Sequence, residues 1–517
     1  MRRLLLTTAA MIGAASQLAH GQPAPANPSQ GQLAAPYGAG PAPNNNNNAW
    51  GVANTPSGSK AAGPISTIYA PNTDAVPAPG TVVIRLNGRV EADLEATFTS
   101  VDKGRTATGA PNGYKLNPLG IGTSMRLFPA FDGLAANGLR YGASVEIREN
   151  FTSGTYPGQL NGSSPTTTTL TTSPTAAATS PSSNTSGQTL FVRRAFTYIA
   201  SDQAGILRLG QGDGVLGLFD NCVFTSQCWD AGENILNTSG LTAFAPSAAI
   251  VPFAWLDQTG AEYGNNKIVY LSPQFFGFDF GVQYAPSQGN ALQASGVGVG
   301  CTQAGPTCIN VTSGSDPTRW YNQVGVGLRW QQTFGPADVK AYGFYETAGK
   351  ENLTTAAFTP PSPGANPATL RYDNLSFYKA GLAVTAYNVT AAVDYIGGAI
   401  NGALQMRPTG GVPMNAWLAG LTYANGPITL GADFGVIDSQ GDARLTGFSQ
   451  RHEYEVAFGG NYKLAPGIQL VAAYTYAHRY QGGFDFSQNA PGAVVDGVRR
   501  TVPVQAHELI LGTVLTW

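Results

Sequence analysis

Charged residues are scarce in this sequence: Asp, Glu, Lys and Arg make up only 11% of it. An ordinary soluble domain carries about 25% charged residues. The 28 Lys and Arg are slightly outnumbered by 30 Asp and Glu. A nucleic-acid-binding protein needs a basic surface, so this balance argues against nucleic acid as a partner.

Histidine is also scarce, with four in the whole chain. Three of them, His452, His478 and His507, lie outside the N-terminal segment, and none sits in a suggestive serine motif. A hydrolase of the serine type would need a Ser/His/acid constellation. We therefore expect no enzyme and no cofactor.

The four cysteines fall in two close pairs, Cys222 with Cys228 and Cys301 with Cys308. No histidine lies near either pair and the spacings are longer than in a usual zinc knuckle, so we expect no metal site. Export would permit disulfides. The short spacings favour two local bridges over cross-links between the pairs, but four cysteines allow three pairings and the sequence leaves the choice open.

Long hydrophobic runs are missing, apart from one at the N-terminus. Residues 1–21 have two arginines, an apolar run and the small-x-small site Ala19-His20-Gly21. This pattern predicts a secretory signal peptide, because the run is short for a spanning helix. Residues 22–80 are rich in Pro, Ala, Gly and Asn without apolar periodicity, which predicts a disordered periplasmic extension.

The sequence does contain long alternating segments, and the clearest is Val82 to Phe98. Its even positions are apolar or Gly, and its odd positions from Arg85 onward are polar or charged. A period of two places successive side chains on opposite faces of a strand. One apolar and one heavily charged face predict a strand between lipid and a water-filled lumen.

Further alternating segments follow in pairs, and we count sixteen strands in residues 81–517. Short connections such as Tyr387-Asn388 alternate with long ones such as 479–503. The pattern predicts a transmembrane antiparallel β-barrel, an all-β fold with short periplasmic turns and long outer loops. In the eighth strand, Trp320 and Trp330 fall on the apolar face and predict two interfacial aromatic belts. In the fourth, Arg193 and Arg194 are adjacent, so one must point outward, and the sequence leaves open which.

Three stretches resemble the general porins of Gram-negative outer membranes. Residues 191–216 are similar to the hairpin before the long third loop, with its Arg-bearing strand and R-x-G-Q exit. Residues 263–285 resemble the re-entry from that loop, N-x-I-x-Y-x-S-P followed by F-x-G-F. The C-terminal HELILGTVLTW is similar to the signal read by the barrel assembly machinery, with Trp517 where most porins have Phe.

The resemblance implies a homotrimer of sixteen-stranded barrels in which the third loop, about residues 213–265, folds inward. Porins of this kind face an arginine ladder on the wall with acids on that loop. The acids here would be Asp213, Asp220, Asp230, Glu233 and Asp257. The arginines at the alternate strand positions that are predicted to face the lumen are Arg85, Arg89, Arg126, Arg140, Arg148 and Arg208. A second interpretation is that these charges only pair with one another, and the place of Glu91, Asp93 and Glu95 relative to the constriction stays open.

The expected function is an outer-membrane channel for passive diffusion of small hydrophilic solutes and ions, with outer-membrane lipid and lipopolysaccharide around it. Pore size and lining charge would set its selectivity. One rival function is a substrate-specific porin for sugars or anions. Tyr342, Phe344 and Phe377 are at strand positions predicted to face the lumen, and aromatic side chains there would favour the passage of sugars. A barrel adhesin and a barrel enzyme are two weaker rivals. The sign of ion selectivity is left open.

Overall fold

A computed structural model describes residues 79–150, 191–219, 266–287, 320–350, 371–442, 445 and 450–517. Within these ranges it leaves out the short segments 101–102, 106–110, 116–117, 202, 213, 402–405 and 488–489. The chain divides into an N-terminal unit, Met1–Gly31, and a second unit, Gln32–Trp517, to which every described residue belongs. The predicted signal peptide and most of the predicted extension therefore lie outside the described residues.

The second unit contains a closed antiparallel barrel of sixteen strands, which we number β1 to β16. The first eight are Thr81–Thr99, Leu119–Leu134, Arg140–Asn150, Phe191–Ser201, Gly205–Gln211, Asn266–Leu271, Phe278–Ser287 and Trp320–Phe334. The last eight are Ala337–Lys350, Leu375–Ala386, Val389–Ala399, Met414–Asn425, Ile428–Ser439, Arg451–Ala465, Ile468–Gln481 and Val504–Thr516. Each strand pairs with its neighbours in sequence, and β1 pairs with β16. The predicted fold class and strand number are confirmed.

The connections alternate in length around the barrel, as predicted. The turns at one end are short, for instance 335–336 between β8 and β9 and 426–427 between β12 and β13. The connections at the other end run from 440–450 to 212–265. In barrels of this type the short turns face the periplasm and the long loops face outward. We call the two ends periplasmic and extracellular accordingly.

The period-two pattern of β1 gives the strand an inner and an outer face. On the outer face Ile84 is 82% and Leu86 64% exposed. On the inner face Arg89, Glu91 and Glu95 are buried. Apolar side chains therefore face lipid and charged side chains face the barrel interior, which confirms the predicted polarity of the strand.

Two rows of aromatic rings lie on the outer face. Tyr395 packs against Tyr378 and Trp417 near the extracellular end, with centroid distances of 5.7 and 4.5 Å. Trp330 packs against Phe278 and Phe334 near the periplasmic end, at 6.3 and 5.9 Å. Such belts anchor a barrel at the two membrane–water interfaces.

The prediction that Trp320 belongs to the outer face of β8 is wrong. Trp320 is only 5% exposed, and its neighbour Tyr321 takes the outer position at 39%. The register of β8 against β9 shifts between Tyr321 and Val324, where Asn322 has a positive φ of 51°. An extra residue in one strand reverses the alternation beyond it. The bulge therefore turns Trp320 inward.

A second bulge lies in β4, at the adjacent residues Arg193 and Arg194. Arg194 pairs with Glu146 of β3, but the next pair is Ile147 with Val192, so Arg193 is the extra residue. The outer face continues across the bulge with exposed Val192, and buried Phe196 lies on the inner face. The bulge thus explains how two adjacent arginines fit into a strand whose inner and outer faces otherwise alternate.

Short strands lie within the long extracellular connections. Two-stranded pieces form from Lys103–Arg105 with Pro111–Lys115, Phe484–Asp485 with Ala490–Pro491, and Val494–Val495 with Val498–Arg499. Phe484 and Phe486 are buried, and the Arg451 guanidinium lies 5.0 and 5.2 Å from their ring centroids. Arg407 and Asp373 join two neighbouring loops through an ion pair of 2.7 Å.

Candidate channel lining

The inner wall of β1 to β3 carries a row of arginine positions. Arg89 of β1 is directly opposite Arg126 of β2, and Arg126 is opposite Arg148 of β3. The side chains of Arg89 and Arg126 are both 1% exposed and point inward. Like charges at directly opposed positions destabilise a sheet. A row of this kind is therefore typical of a functional wall, where counter-charges or solutes balance it.

The other predicted arginines lie on the same side of the barrel at different positions. Arg208 of β5 is buried, and its guanidinium lies 4.0 Å from the Phe196 ring centroid. Arg140 is half-buried opposite Leu134, close to the periplasmic end. Arg85 is described by its backbone alone, which pairs with Ala130. The set is therefore spread over the height of the wall, with only the Arg89, Arg126 and Arg148 positions side by side.

Part of this wall pairs internally, in keeping with the second interpretation of its charges. Arg89 forms an ion pair with Glu91 two residues further along β1. Tyr198 of β4 donates a hydrogen bond to the carboxylate of Asp132 on β2. The charges on this wall are thus held in place by their neighbours, which fixes their positions relative to the lumen.

The third loop begins with a short helix, α1, Val215–Phe219, that lies against the inner wall of β7 to β9. Val215 fits over two inward glycines, Gly281 of β7 and Gly327 of β8, where an added Cβ would come within 2.8 and 2.7 Å of its methyl groups. The Val215 backbone NH donates to the Gln283 side chain. The predicted inward fold of the third loop is thus confirmed at its first turn.

A charged side chain secures the other end of α1. The Arg329 guanidinium lies 5.0 Å from the Phe219 ring centroid and forms an ion pair of 2.7 Å with Asp279. Gln283 in turn donates to Glu346 of β9 at 3.2 Å. The loop therefore leaves β5 and is anchored on β7 to β9.

The remaining loop residues singled out in the sequence lie outside the described residues. These are Asp213, Asp220, Asp230, Glu233 and Asp257, together with Cys222, Cys228, Cys301 and Cys308. Their contacts and pairing stay predictions. The side chains of Arg85 and Arg148 fall outside the description in the same way.

Carboxylates form a second inner-wall feature, which the sequence reasoning only partly found. Glu91, Asp93 and Glu95 are buried on β1 on the extracellular side of Arg89. Glu508 of β16 is buried beside them, opposite Thr97. The alternation in HELILGTVLTW places Glu508 on the inner face, so the signal was present in the sequence. Its closeness to Glu95 required the β1–β16 register.

The wall of β8 to β13 is largely apolar. Tyr342, Phe344 and Phe377 point inward as predicted and are at most 5% exposed. The Phe344 and Phe377 ring centroids are 6.1 Å apart. Lys379 and Asp394 on this side form an ion pair at 3.5 Å. The interior is thus asymmetric: buried aromatic and aliphatic side chains prevail on this wall, whereas β1 alone carries four buried charged side chains.

The three histidines of the described part, His452, His478 and His507, all lie on the outer face of β14 to β16. His452 contacts Asp438 at 2.6 Å, and the Tyr474 hydroxyl lies 2.8 Å from His507 Nδ1. His478 stacks on Tyr454 at 4.9 Å. The three histidines thus contact an acidic side chain and tyrosines of neighbouring strands.

Metal-binding clusters and membrane-spanning helices are both missing from the described residues. No three His, Cys, Asp or Glu side chains among them lie close enough to hold a metal ion. No helix in the described part of the chain is long and apolar enough to cross a membrane.

A closed sixteen-stranded barrel with a lipid-facing outer surface, a charged inner wall and an inward-folded third loop defines the class of outer-membrane channels. A profile of the Gram-negative porins matches residues 75–481. Because this match spans most of the chain, the chain belongs to the Gram-negative porin family. It is accordingly an outer-membrane channel for passive diffusion of small hydrophilic solutes and ions, and the family match does not favour a substrate-specific porin.

Solved structures of outer-membrane proteins are similar to the chain at low identity. The outer-membrane channel DcaP of Acinetobacter baumannii is 10% identical, with a TM-score of 0.46, over 86% of this chain and 99% of that one. A loop L8 deletion mutant of OmpT from Vibrio cholerae is 13% identical, with a TM-score of 0.43, over 84% and 99%. A double mutant of the Rh. blastica porin is 12% identical, with a TM-score of 0.40, over 84% and 100%. No curated protein matches the chain significantly.

Proposed function

We propose that solutes pass through a constriction between the arginine positions of β1 to β5 and the third loop. The observation that carries this proposal is the side-by-side placement of Arg89 and Arg126 on the inner wall, together with α1 anchored on β7 to β9. The lining on the wall would be Arg85, Arg89, Arg126, Arg140, Arg148 and Arg208. The facing acids would be Asp213, Asp220, Asp230, Glu233 and Asp257.

Such an arrangement needs no chemistry on the solute. Opposed charges set up a transverse field across a narrow aqueous passage, and pore size and lining charge select what passes. Polar solutes orient in this field and move down their gradient. Bulky apolar solutes are excluded, because they would displace oriented water without replacing its interactions.

The functional assembly in this proposal is a homotrimer in the outer membrane. Ile84 on the outer face of β1, opposite Phe131, is 82% exposed, and Ile121 on the outer face of β2, opposite Leu94, is 76% exposed; both values exceed those of the outer side chains of most other strands. In this proposal a second copy packs on this exposed apolar face, while lipid and lipopolysaccharide surround the rest. Residues 1–21 would direct export and be removed, and 22–80 would remain as a periplasmic extension.

Single-channel recording in a planar bilayer tests the function. We expect the refolded protein to give conductance steps in groups of three, with linear current and no block by sugars. Small steps blocked by one solute would favour a specific channel. A folded, heat-modifiable barrel that carries no current would overturn the proposal.

A further inference from the structure

The charges on the inner face of β1 are separated by sign along the strand. The positive residue Arg89 lies nearer the periplasmic end, and Glu91, Asp93 and Glu95 follow toward the extracellular end. The three carboxylates cover about 13 Å of the strand, from four residue steps of about 3.3 Å. A solute entering from outside therefore meets carboxylates before arginines.

Glu508 extends this acidic surface across the junction of β1 and β16. It lies directly opposite Thr97 of β1 and Thr475 of β15. Glu95 is opposite Ile510, so Glu95 and Glu508 are diagonal neighbours on the same face. Diagonal neighbours in an antiparallel sheet are about 7–8 Å apart. The two carboxylates therefore act on the same region of the lumen.

Glu508 is buried, and no basic side chain of the described residues pairs with it. It is 1% exposed, and among the described residues neither of its carboxylate oxygens has a hydrogen-bond partner. The same holds for Oδ1 of Asp93, which lies over the side-chain-free Gly512 of β16. A buried carboxylate without a partner is costly, and a bound cation relieves that cost.

The positions opposed to Glu508 carry no basic group. Thr97 and Thr475 flank it laterally, and Ala506 precedes it on the inner face of its own strand. Two inner-wall acids elsewhere have basic partners: Asp279 pairs with Arg329 at 2.7 Å and Asp394 with Lys379 at 3.5 Å. Glu508 differs from these two acids, because no ion pair joins it to a basic side chain of the described residues.

We propose that Glu508, Asp93 and Glu95 form an elongated acidic surface on the extracellular side of the arginines, here called the cation site, which attracts monovalent and small organic cations without all three carboxylates holding one ion, and that this surface makes the channel cation-selective. The inference rests on the proposed function and adds the sign of the selectivity. Cations concentrate at the carboxylates before reaching the constriction, while anions are repelled at the entrance.

The reversal potential in a KCl gradient tests the proposal. We expect the wild-type channel to prefer potassium to chloride. Glu508→Gln and Asp93→Asn keep the side-chain shape and should each lower the potassium-to-chloride permeability ratio about two- to six-fold, the effect of one charge at about 4–8 Å in water. Thr475→Lys, which places a cation opposite Glu508, should shift the ratio in the same direction.

Asp438→Asn is the matched control. Asp438 contacts His452 on the outer face at the extracellular end, so the substitution removes one negative charge without touching the lumen. It should leave the reversal potential unchanged. A conducting wild-type channel that prefers chloride, or Glu508→Gln and Asp93→Asn variants that behave like Asp438→Asn, would overturn the cation site alone. A folded protein without conductance would overturn the channel and the site together.

Discussion

Single glycines decide where larger groups fit in this barrel. Gly88 of β1 lies under the indole of Trp517, and Gly133 of β2 lies under the ring of Tyr141, so that an added Cβ would collide with either ring. On the inner face Gly281 and Gly327 make room for Val215 of α1. An aromatic ring over a strand glycine restores the packing that the glycine lacks. These positions matter for the space they leave free.

We predict that Gly327→Leu displaces α1 from the wall toward the lumen. Overpacking of this kind costs about 1–3 kcal/mol, and a helix pushed inward should lower the single-channel conductance. The measurement is bilayer recording together with the temperature at which the folded band is lost in gel electrophoresis. Gly343→Leu is the control, because its Cβ meets nothing within 4 Å. Equal conductance in both variants would show that α1 does not depend on the glycine.

Asn322 is a second residue with a specific backbone requirement. Its φ of 51° lies in the left-handed region, which costs a side-chain-bearing residue about 1–2 kcal/mol and a β-branched residue more. We predict that Asn322→Val lowers the unfolding temperature, whereas Asn322→Gly does not. Asn415→Val on β12, where the strand is regular, is the control. A stable Asn322→Val variant would mean that the bulge relaxes.

At the scale of the strand, charges act as rows across neighbours. Arg89 and Arg126 occupy opposed positions, so both contribute to the potential at one height of the lumen. We predict that Arg126→Gln raises the potassium-to-chloride permeability ratio about two- to six-fold, because one positive charge near the permeating ion is removed. Lys463→Gln, at an exposed position beside a periplasmic turn, should not change it. An unchanged ratio in Arg126→Gln would place the constriction elsewhere.

The strands themselves were largely predictable, because alternation is a local property. Val82 to Phe98 in the sequence corresponds to Thr81–Thr99 in the structure, and the inward position of Tyr342, Phe344 and Phe377 followed from parity. Prediction failed where a bulge interrupts the period. A bulge is a feature of strand pairing, so neither the inward turn of Trp320 nor the extra residue Arg193 could be found from one strand alone.

The candidate site was only half predictable for the same reason. Parity identified the arginines and the carboxylates of β1. The opposed positions of Arg89 and Arg126, and of Glu508 and Thr97, depend on register between strands. The packing of Val215 on Gly281 and Gly327 brings together residues of α1, β7 and β8. Such contacts arise from tertiary packing, which single-strand periodicity does not encode.

At the scale of the whole molecule, apolar side chains such as Ile121 on the outer face of β1 and β2 are more exposed than Leu328 on the outer face of β8. We predict that Ile121→Lys gives monomeric barrels, because an uncompensated charge would be buried between copies. The oligomeric state is measured by size determination in detergent, and heat-modifiability in gel electrophoresis tests whether the barrel is folded. Leu328→Lys on the lipid-facing side of β8 should lower stability by about 2–4 kcal/mol or less, depending on depth, and keep the trimer. A trimeric Ile121→Lys protein would place the interface on another face.

The pairing of Trp517 with Gly88 has a consequence for the time course of folding. Two hydrogen bonds of 3.2 Å join the backbones of these residues, and they connect the first strand to the residue that follows β16. Contacts with such large sequence separation form late, because their loop-closure entropy is lost before any contact compensates for it. Until then β1 keeps an unpaired edge, which is prone to aggregate. The barrel becomes a closed, edge-free surface only when β16 has been delivered, so a chain interrupted before that strand is left with an open sheet.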